Sequence, residues 1–296
     1  MNYILLTVSV FTSVLYNVLL NLEGKRGGRK GKELYLFNLL IYTTGFLLLL
    51  LLAAGKPLSL YSVLFGVLFG CVTVLGSICK IRALANGPMH ITVLCTTSSM
   101  ILPAVSGIWI SGDTLSAGKL VCIAGLLFFL YLSMDRAGDS RINRVWFLYV
   151  LVSFFSQGAV GVMQKLHQAS AHAEESAGFL AAAFFCSALF SGVMLLLPEK
   201  NGAEEDRSLS VSAAPGRRKQ LLLTAVLCGV CIFAMNEWNL LLAGRIPALI
   251  FFPVQNGAVL LLNALAAILL YRETLSKRQC VGLCGGILSL VFICIL

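Results

Sequence analysis

Long apolar runs dominate the chain and alternate with short polar stretches. Each run holds roughly 20 residues, the length of a helix that crosses about 30 Å of hydrocarbon. Backbone groups in lipid must bond within their own segment, and strands of a membrane barrel would alternate in polarity, so continuous runs predict helices. We expect an all-α polytopic membrane protein of about ten transmembrane helices. The predicted spans, one to ten, are 3–22, 34–54, 58–84, 89–111, 117–134, 145–166, 177–197, 220–243, 247–270 and 277–296.

A short element after span four recurs after span nine, 160 positions later. It reads Asp-Thr-Leu-Ser at 113–116 and Glu-Thr-Leu-Ser at 273–276, and the same shift aligns Val121 with Val281 and Gly125 with Gly285. Two connections and the two helices that follow them therefore correspond. This correspondence indicates that the second half of the chain repeats the first.

Polar residues at four-residue spacing support the repeat at the start of each half. Ser9, Ser13, Asn17 and Asn21 in span one match Ser153, Gln157, Gly161 and Lys165 in span six, at a shift of 144. A unit with five spans inserts with the opposite orientation when it is repeated in tandem. We predict two inverted five-helix repeats, 1–138 and 139–296, with a flexible polar loop at 198–219 and a binding site between the halves.

Composition and charge exclude an ordinary soluble domain. Hydrophobic residues make up 58% of the chain and charged residues 12%, against about 25% charged in globular proteins. The net charge of +9 does not indicate a nucleic-acid partner, because the basic residues cluster in short connections. Those after odd-numbered spans hold 16 and those after even-numbered spans 3, which places the first set in the cytoplasm and both termini outside.

Cysteine and histidine provide no catalytic or metal-binding pattern. All ten cysteines lie within apolar runs, where they behave as small core residues. The Cys228–Cys231 pair forms a C-x-x-C without a second pair or a histidine partner, so we expect no metal and no cofactor. The chain contains neither H-E-x-x-H nor G-x-S-x-G, and we do not expect an enzyme.

The two five-helix halves, the acidic-Thr-Leu-Ser elements and the segment Phe-Pro-Val-Gln-Asn-Gly at 252–257 together resemble the drug/metabolite transporter superfamily, in its ten-helix, EamA-like form. The resemblance implies a basket of helices around a central cavity, alternating access, and substrates such as amino acids, nucleotide sugars, other metabolites or drugs. It also implies cytoplasmic termini, contrary to the charge count. The four-helix exporters of this superfamily use a glutamate in their first helix, and span one here has no acidic residue.

Glu237 is the clearest candidate site residue, because an ionisable residue inside a span costs about 2.5–3.5 kcal/mol on insertion scales. It lies within span eight, and Asn236 and Asn239 share an arc of about 160° with it at 100° per residue. The three side chains could border one cavity and hold a cation or proton. The alternative is a structural ion pair with a basic residue of a neighbouring helix.

Two lysines near the ends of spans present the same choice. Lys80 in span three continues the face that carries Thr73 and Ser77, whereas Arg82 diverges from it and can snorkel. A Lys80–Glu237 pair would make both residues structural. Lys165 in span six is the second candidate for a charged group on the solute path.

Polar stripes could line that path or bond neighbouring helices. Interhelical bonds in membranes average about 0.6 kcal/mol, so polar residues occur there without a binding role. Both alternatives apply to the remaining candidates: Asn17 in span one, Thr96 and Ser99 in span four, Gln157 in span six, and Asn256 in span nine.

These observations predict a secondary active transporter in the cytoplasmic membrane that moves a small organic solute by alternating access. Coupling to a proton or another cation, or exchange, is compatible with Glu237. The alternatives are a lipid flippase of the same fold and a channel or scaffold. The expected partners are the solute and membrane lipid, with the chain as a monomer or a homodimer.

Overall fold

The computed structural model describes residues 2–27, 32–86, 89–112, 116–133, 144–197, 215–271 and 276–295, and these residues contain helices and turns but no strand. The helices are α1 (Asn2–Gly27), α2 (Lys32–Ala53), α3 (Leu60–Asn86), α4 (Met89–Ser98), α5 (Ile101–Ser111), α6 (Ala117–Ser133), α7 (Arg144–Ala169), α8 (Ser176–Leu196), α9 (Pro215–Arg245), α10 (Ala248–Tyr271) and α11 (Lys277–Ile295). A 3-10 turn, Ala173–Glu175, precedes α8. The predicted all-α class is confirmed.

Seven of these helices are long and apolar enough to cross a membrane, namely α1, α2, α3, α7, α8, α9 and α10. Large apolar side chains point outward from helix after helix; Leu51, Trp109, Val121 and Leu196 are each more than seven-tenths exposed. Exposed apolar surface on this scale needs an apolar solvent. The architecture is therefore consistent with a membrane protein.

The fourth predicted span is not one helix but two, α4 and α5, separated at Ser99 and Met100. Pro103 explains the break. A proline has no N–H for the carbonyl of the residue four positions earlier, and its ring clashes with that carbonyl. The Ser99 carbonyl instead accepts from the Leu102 N–H at 3.0 Å, in a tighter turn. The prediction of an uninterrupted helix over 89–111 was wrong.

The last five residues of the predicted flexible loop, 215–219, are helical instead, because α9 begins at Pro215. Proline suits the first position of a helix, because a backbone N–H at this position has no partner within the helix and its absence costs nothing. Residues 198–214 lie outside the described residues, as do 113–115 and 273–275 of the repeated elements. The serines that end those elements are described and cap the helices that follow.

Ser116 and Ser276 occupy equivalent positions before α6 and α11. The Ser116 hydroxyl accepts from the Gly118 N–H at 3.2 Å, and the Ser276 hydroxyl accepts from the Gln279 N–H at 3.3 Å. The Gln279 side chain reaches back to the Ser276 N–H at 2.8 Å, which completes a capping box. The two serines thus fix where these helices begin.

The described chain forms two compact units. The first comprises Met1–Val10, Val72–Ala173 and Asn239–Leu296. In it α6 packs against α11 and α5 against both α10 and α7. Its apolar core takes residues from α1, α5, α6, α9, α10 and α11, and includes Leu126, Leu130, Leu249, Phe251 and Ile293.

The second unit comprises Phe11–Cys71 and Glu174–Trp238. In it α2 packs along α8, and α3 approaches α8 through two glycines four residues apart. A Cβ on Gly66 would lie 2.3 Å from the Phe179 carbonyl oxygen, and one on Gly70 would lie 2.7 Å from the Ala183 carbonyl oxygen. Such G-x-x-x-G spacing lets two helix backbones meet closely.

Candidate functional site

A buried carboxyl group forms the centre of the second unit's polar site. Glu237 lies in α9, eight residues before that helix ends at Arg245, and its side chain is 9% exposed. Its Oε1 accepts a hydrogen bond from the Ser176 hydroxyl at 2.7 Å. Its Oε2 is buried and has no hydrogen-bond partner among the described residues. One oxygen is therefore held in place while the other is free for a ligand.

Ser176 is the first residue of α8, so Glu237 faces the amino-terminal end of that helix. The exposed N–H groups at this end carry a partial positive charge. Lys56, an exposed residue between α2 and α3, adds an attractive electrostatic interaction with Glu237. The described residues place no ion-pair partner within 4 Å of this carboxylate, so the ion-pair alternative has no contact to support it there.

A cavity lies at the start of α8. Its wall includes Glu175 and Ala177, the residues on either side of Ser176 in sequence, but neither Ser176 nor Glu237. The lining is mostly apolar with three charged side chains, and consists of Leu50, Ala53, Ala54, Lys56, Pro57, Leu58, Glu174, Glu175, Ala177 and Gly178.

Glu175 joins the two chain segments that line this cavity, residues 50–58 and 174–178. Its Oε2 accepts from the Ser59 N–H at 2.9 Å and from the Ser59 hydroxyl at 2.6 Å. Ser59 in turn accepts from the Ser62 N–H and caps the start of α3. The arrangement fixes the α2–α3 connection beside the beginning of α8.

The first unit contains a separate polar network that joins three helices. The Ser9 hydroxyl of α1 donates to Asn239 Oδ1 of α9 at 2.6 Å, and Gln255 Nε2 of α10 donates to the Ser9 hydroxyl at 3.3 Å. Ser9 is fully buried and Gln255 is 6% exposed. Asn239 is thus a predicted site residue whose side-chain amide forms a hydrogen bond with a neighbouring helix.

Lys165 is buried in the first unit at 4% exposure. Its Nζ donates to the carbonyl oxygen of Ile246 at 3.5 Å, just beyond the carboxyl end of α9. A cation is favourable at this end of a helix because the carbonyl groups there carry partial negative charge. Lys165 therefore has a structural contact, whether or not it also meets a solute.

Four other predicted site residues bond to their own chain segment. Asn236 donates to the Ile232 carbonyl at 2.8 Å and Asn256 to the Phe252 carbonyl at 2.9 Å. The Ser99 hydroxyl donates to the Thr96 carbonyl at 2.6 Å. Asn236 is half-buried and Asn256 exposed, whereas Thr96 and Ser99 are buried.

The remaining candidates, Lys80, Asn17 and Gln157, are all half-buried. Lys80 and Gln157 belong to the first unit and Asn17 to the second. Gln157 lies on α7 beside α3, where its Nε2 would be 3.4 Å from a Cβ on Gly76. Ser153, four positions before Gln157 and on the same face of α7, donates to the Gly76 carbonyl at 3.2 Å. The stripe on span six thus faces α3 at this level.

Sequence reasoning missed Ser176, Lys56 and Gln255. Ser176 opens an apolar run, where a serine usually signals a helix start, and Lys56 resembles any loop lysine. Gln255 is adjacent to Asn256, and the two side chains point in directions 100° apart around α10; Gln255 is the buried one and Asn256 is exposed. The sequence did contain a signal for Gln255, because this residue belongs to the segment at 252–257 that carries the family resemblance.

Comparison with known proteins shows the fold and nothing more specific. No family model matches the chain, and no curated protein matches its sequence. A crystal structure described only as that of a protein is similar, with a TM-score of 0.71 and 14% sequence identity over 97% of this chain and 95% of that chain. The architecture over nearly the whole length is therefore one that occurs in a crystallised protein.

Proposed function

We propose that this chain is a secondary active transporter that moves a small organic solute across the cytoplasmic membrane by alternating access. Glu237 holds the coupling cation or proton, and the solute path lies among polar residues of the two halves. The proposal includes membership of the ten-helix drug/metabolite transporters, on the residues that carry the resemblance. The basic residues of the odd-numbered connections support insertion in the cytoplasmic membrane.

The observation that carries the proposal is the free carboxyl oxygen of Glu237. A buried charge without a counterion is costly, and ionisable residues inside membrane segments mark ion and substrate pathways. Ser176 satisfies one oxygen, and Oε2 has no partner in the described chain. Buried polar groups with a structural role are normally hydrogen-bonded. A buried carboxylate oxygen without a hydrogen-bond partner therefore favours a ligand that binds reversibly.

Reciprocal contacts between α6 and α11 support the two-fold repeat. A Cβ on Gly125 would meet the Ser289 hydroxyl at 3.4 Å, and one on Gly285 would meet the Phe129 ring at 2.2 Å. Gly285 lies 160 positions after Gly125, and Ser289 lies 160 positions after Phe129. This is the shift found in the sequence, so the two contacts are equivalent. Reciprocal contacts of this kind are expected across a two-fold axis.

Contacts between helix ends support ten crossings, with α4 and α5 counted as one. In that layout, connections after even-numbered spans share one membrane face. Ser59 after span two bonds to Glu175 after span six, and Lys165 near the end of span six bonds to Ile246 after span eight. On the other face, Arg278 after span nine donates to the Tyr131 carbonyl at the end of span five.

Two experiments test the proposal. Thermal stabilisation of the purified protein by a panel of amino acids, nucleosides and organic cations identifies a candidate solute. Counterflow of that radiolabelled solute in liposomes then separates a carrier from a channel, because only a carrier accelerates uptake when the solute is preloaded inside. Uptake that neither saturates nor responds to preloading would reject a carrier.

Glu237→Gln tests the role of the carboxyl. The amide keeps an acceptor for Ser176 but cannot release a proton or neutralise a cation, so we expect correctly folded protein with at least tenfold slower gradient-driven uptake, on the order expected for a lost proton-transfer group. Glu174→Gln, which removes an exposed carboxylate of the same cavity but leaves the Glu237 carboxyl in place, is the matched control, and its uptake should fall by less than that of Glu237→Gln. Wild-type uptake with an unchanged pH dependence in Glu237→Gln would contradict the assignment.

A further inference from the structure

We infer that the ion bound at Glu237 is a proton rather than a metal cation, and that it reaches the carboxyl from the cavity lined by Lys56, Glu174 and Glu175. This inference deepens the proposed carrier function and rests on it for the use made of the proton. The identity of the ion is argued from the groups around Glu237 in the second unit.

The backbone around Glu237 is unsuited to a sodium ion. Sodium sites in transporters draw on carbonyl oxygens from unwound helices or from the carboxyl ends of half-helices. Here α9 is continuous through Glu237, so its carbonyls are engaged in helical hydrogen bonds. The helix end that faces the carboxyl is the start of α8, which presents N–H donors and a partial positive charge. These N–H groups are donors and cannot act as ligands to a metal cation.

Among the described residues, the side chains nearby offer too few oxygen ligands. Ser176, whose hydroxyl hydrogen is donated to Oε1, and Asn236, whose amide N–H donates to its own helix, add at most one neutral oxygen each. Hard cations such as Ca²⁺ and Mg²⁺ take about six or more oxygen ligands. Glu237 itself offers one oxygen without a hydrogen-bond partner, Oε2. One oxygen is enough to bind a proton.

The observed hydrogen bond allows the carboxyl to gain and lose a proton without rearrangement. With the proton on Oε2, Oε1 is the carbonyl oxygen and still accepts from the Ser176 hydroxyl. After the proton leaves, the carboxylate keeps that hydrogen bond and the attraction of Lys56. Ser176 is thus a positioning residue that serves both forms.

The cavity gives the proton a route from the membrane surface. Lys56 and Glu174, two of its lining residues, are exposed, and Glu175 is half-buried. Ser176 stands between two lining residues and bonds directly to Glu237. Among the described residues, Lys56 is the charged group that interacts with Glu237, and Glu174 and Glu175 are the carboxylates of the cavity wall.

Infrared difference spectroscopy of the full-length protein in lipid vesicles tests the inference without a transported solute. Spectra are recorded across a pH series in sodium chloride and again in choline chloride. We expect a protonated-carboxyl C=O band that is lost in Glu237→Gln, retained in Glu174→Gln and identical in the two salts. In Ser176→Ala the band should shift to higher frequency, because its carbonyl oxygen has lost a hydrogen bond.

Two results would overturn the inference: wild-type and Glu237→Gln spectra that never differ in this region, or ²²Na⁺ binding that the wild type shows and Glu237→Gln lacks. Monodisperse Glu237→Gln protein with the wild-type infrared amide bands excludes misfolding as the cause of a lost band. The spectra are also independent of carrier function. If counterflow fails while the Glu237 band titrates, the carrier proposal is rejected and the proton site is supported.

Discussion

At the residue scale, Glu175 shows how one side chain can join segments far apart in sequence. Its carboxylate accepts from both the N–H and the hydroxyl of Ser59, 116 positions earlier. The N–H of a residue that begins a helix has no partner within that helix. Glu175 supplies the partner, and the negative charge also suits the amino-terminal end of α3.

Glu175→Ala should therefore destabilise the protein by about 1–2 kcal/mol, the usual cost of removing a helix-capping partner. Thermal unfolding in detergent measures the loss as a lower melting temperature. Glu174→Ala is the matched control, since Glu174 is exposed and exposed substitutions usually change stability by less than about 0.5 kcal/mol. Equal melting temperatures for the two variants would show that the Ser59 contacts contribute nothing.

At the element scale, two kinds of helix position limit what the sequence tolerates. Proline breaks the fourth span into α4 and α5, because its effect is on the backbone of its own segment. Glycines 66 and 70 act differently, since they set how closely α3 approaches α8 in the second unit. Next to them, the thiols of Cys71 and Cys186 lie 3.5 Å apart across the same contact. Cys71 is nevertheless exposed and Cys186 half-buried, so the expectation that the cysteines are core residues was wrong for Cys71.

Gly66→Ala should open the α3–α8 contact. Its new Cβ would lie 2.3 Å from a backbone oxygen, which cannot move aside as a flexible side chain can. Overpacking of this kind costs about 1–3 kcal/mol, and we expect a lower melting temperature and a lower yield of monodisperse protein. Gly192→Ala in α8 is the control, because its nearest neighbour, the Leu39 Cδ1 atom, is at an ordinary 3.8 Å. A larger loss in the control than in Gly66→Ala would refute this packing.

At the scale of the whole molecule, the charge distribution predicts which way the cavity opens. The excess of basic residues favours a cytoplasmic location for the odd-numbered connections. Lys56 and Glu175 follow spans two and six, so the cavity beside Glu237 should open to the opposite face. The resembled superfamily implies the reverse orientation, with cytoplasmic termini, and the choice affects the direction in which a proton gradient would drive transport.

Labelling of intact cells decides the orientation. In a background without the ten native cysteines, Lys56→Cys should react with a membrane-impermeant maleimide, because its connection is predicted to lie outside. Lys219→Cys, at an exposed position near the start of α9, follows span seven and should react after the cells are permeabilised. The opposite pattern of labelling would favour the family orientation.

The sequence by itself determined the helices, most of their ends and the presence of a charged residue where charge is costly. These properties depend on local composition: twenty apolar residues form a helix in lipid whatever surrounds them, and Glu237 interrupts such a run. The serines before α6 and α11 were likewise recognised through their repeated sequence context, and both cap a helix.

Only the tertiary structure decided which polar groups meet. Ser176 and Glu237 are 61 positions apart, and Ser9 and Asn239 are 230 apart, so no local pattern relates them. Asn236, Glu237 and Asn239 share one arc of α9 in projection, yet they bond respectively to their own helix, to α8 and to α1. A helical wheel gives the direction of each side chain, but the partner depends on which helix packs at that height, and packing is a property of the folded chain.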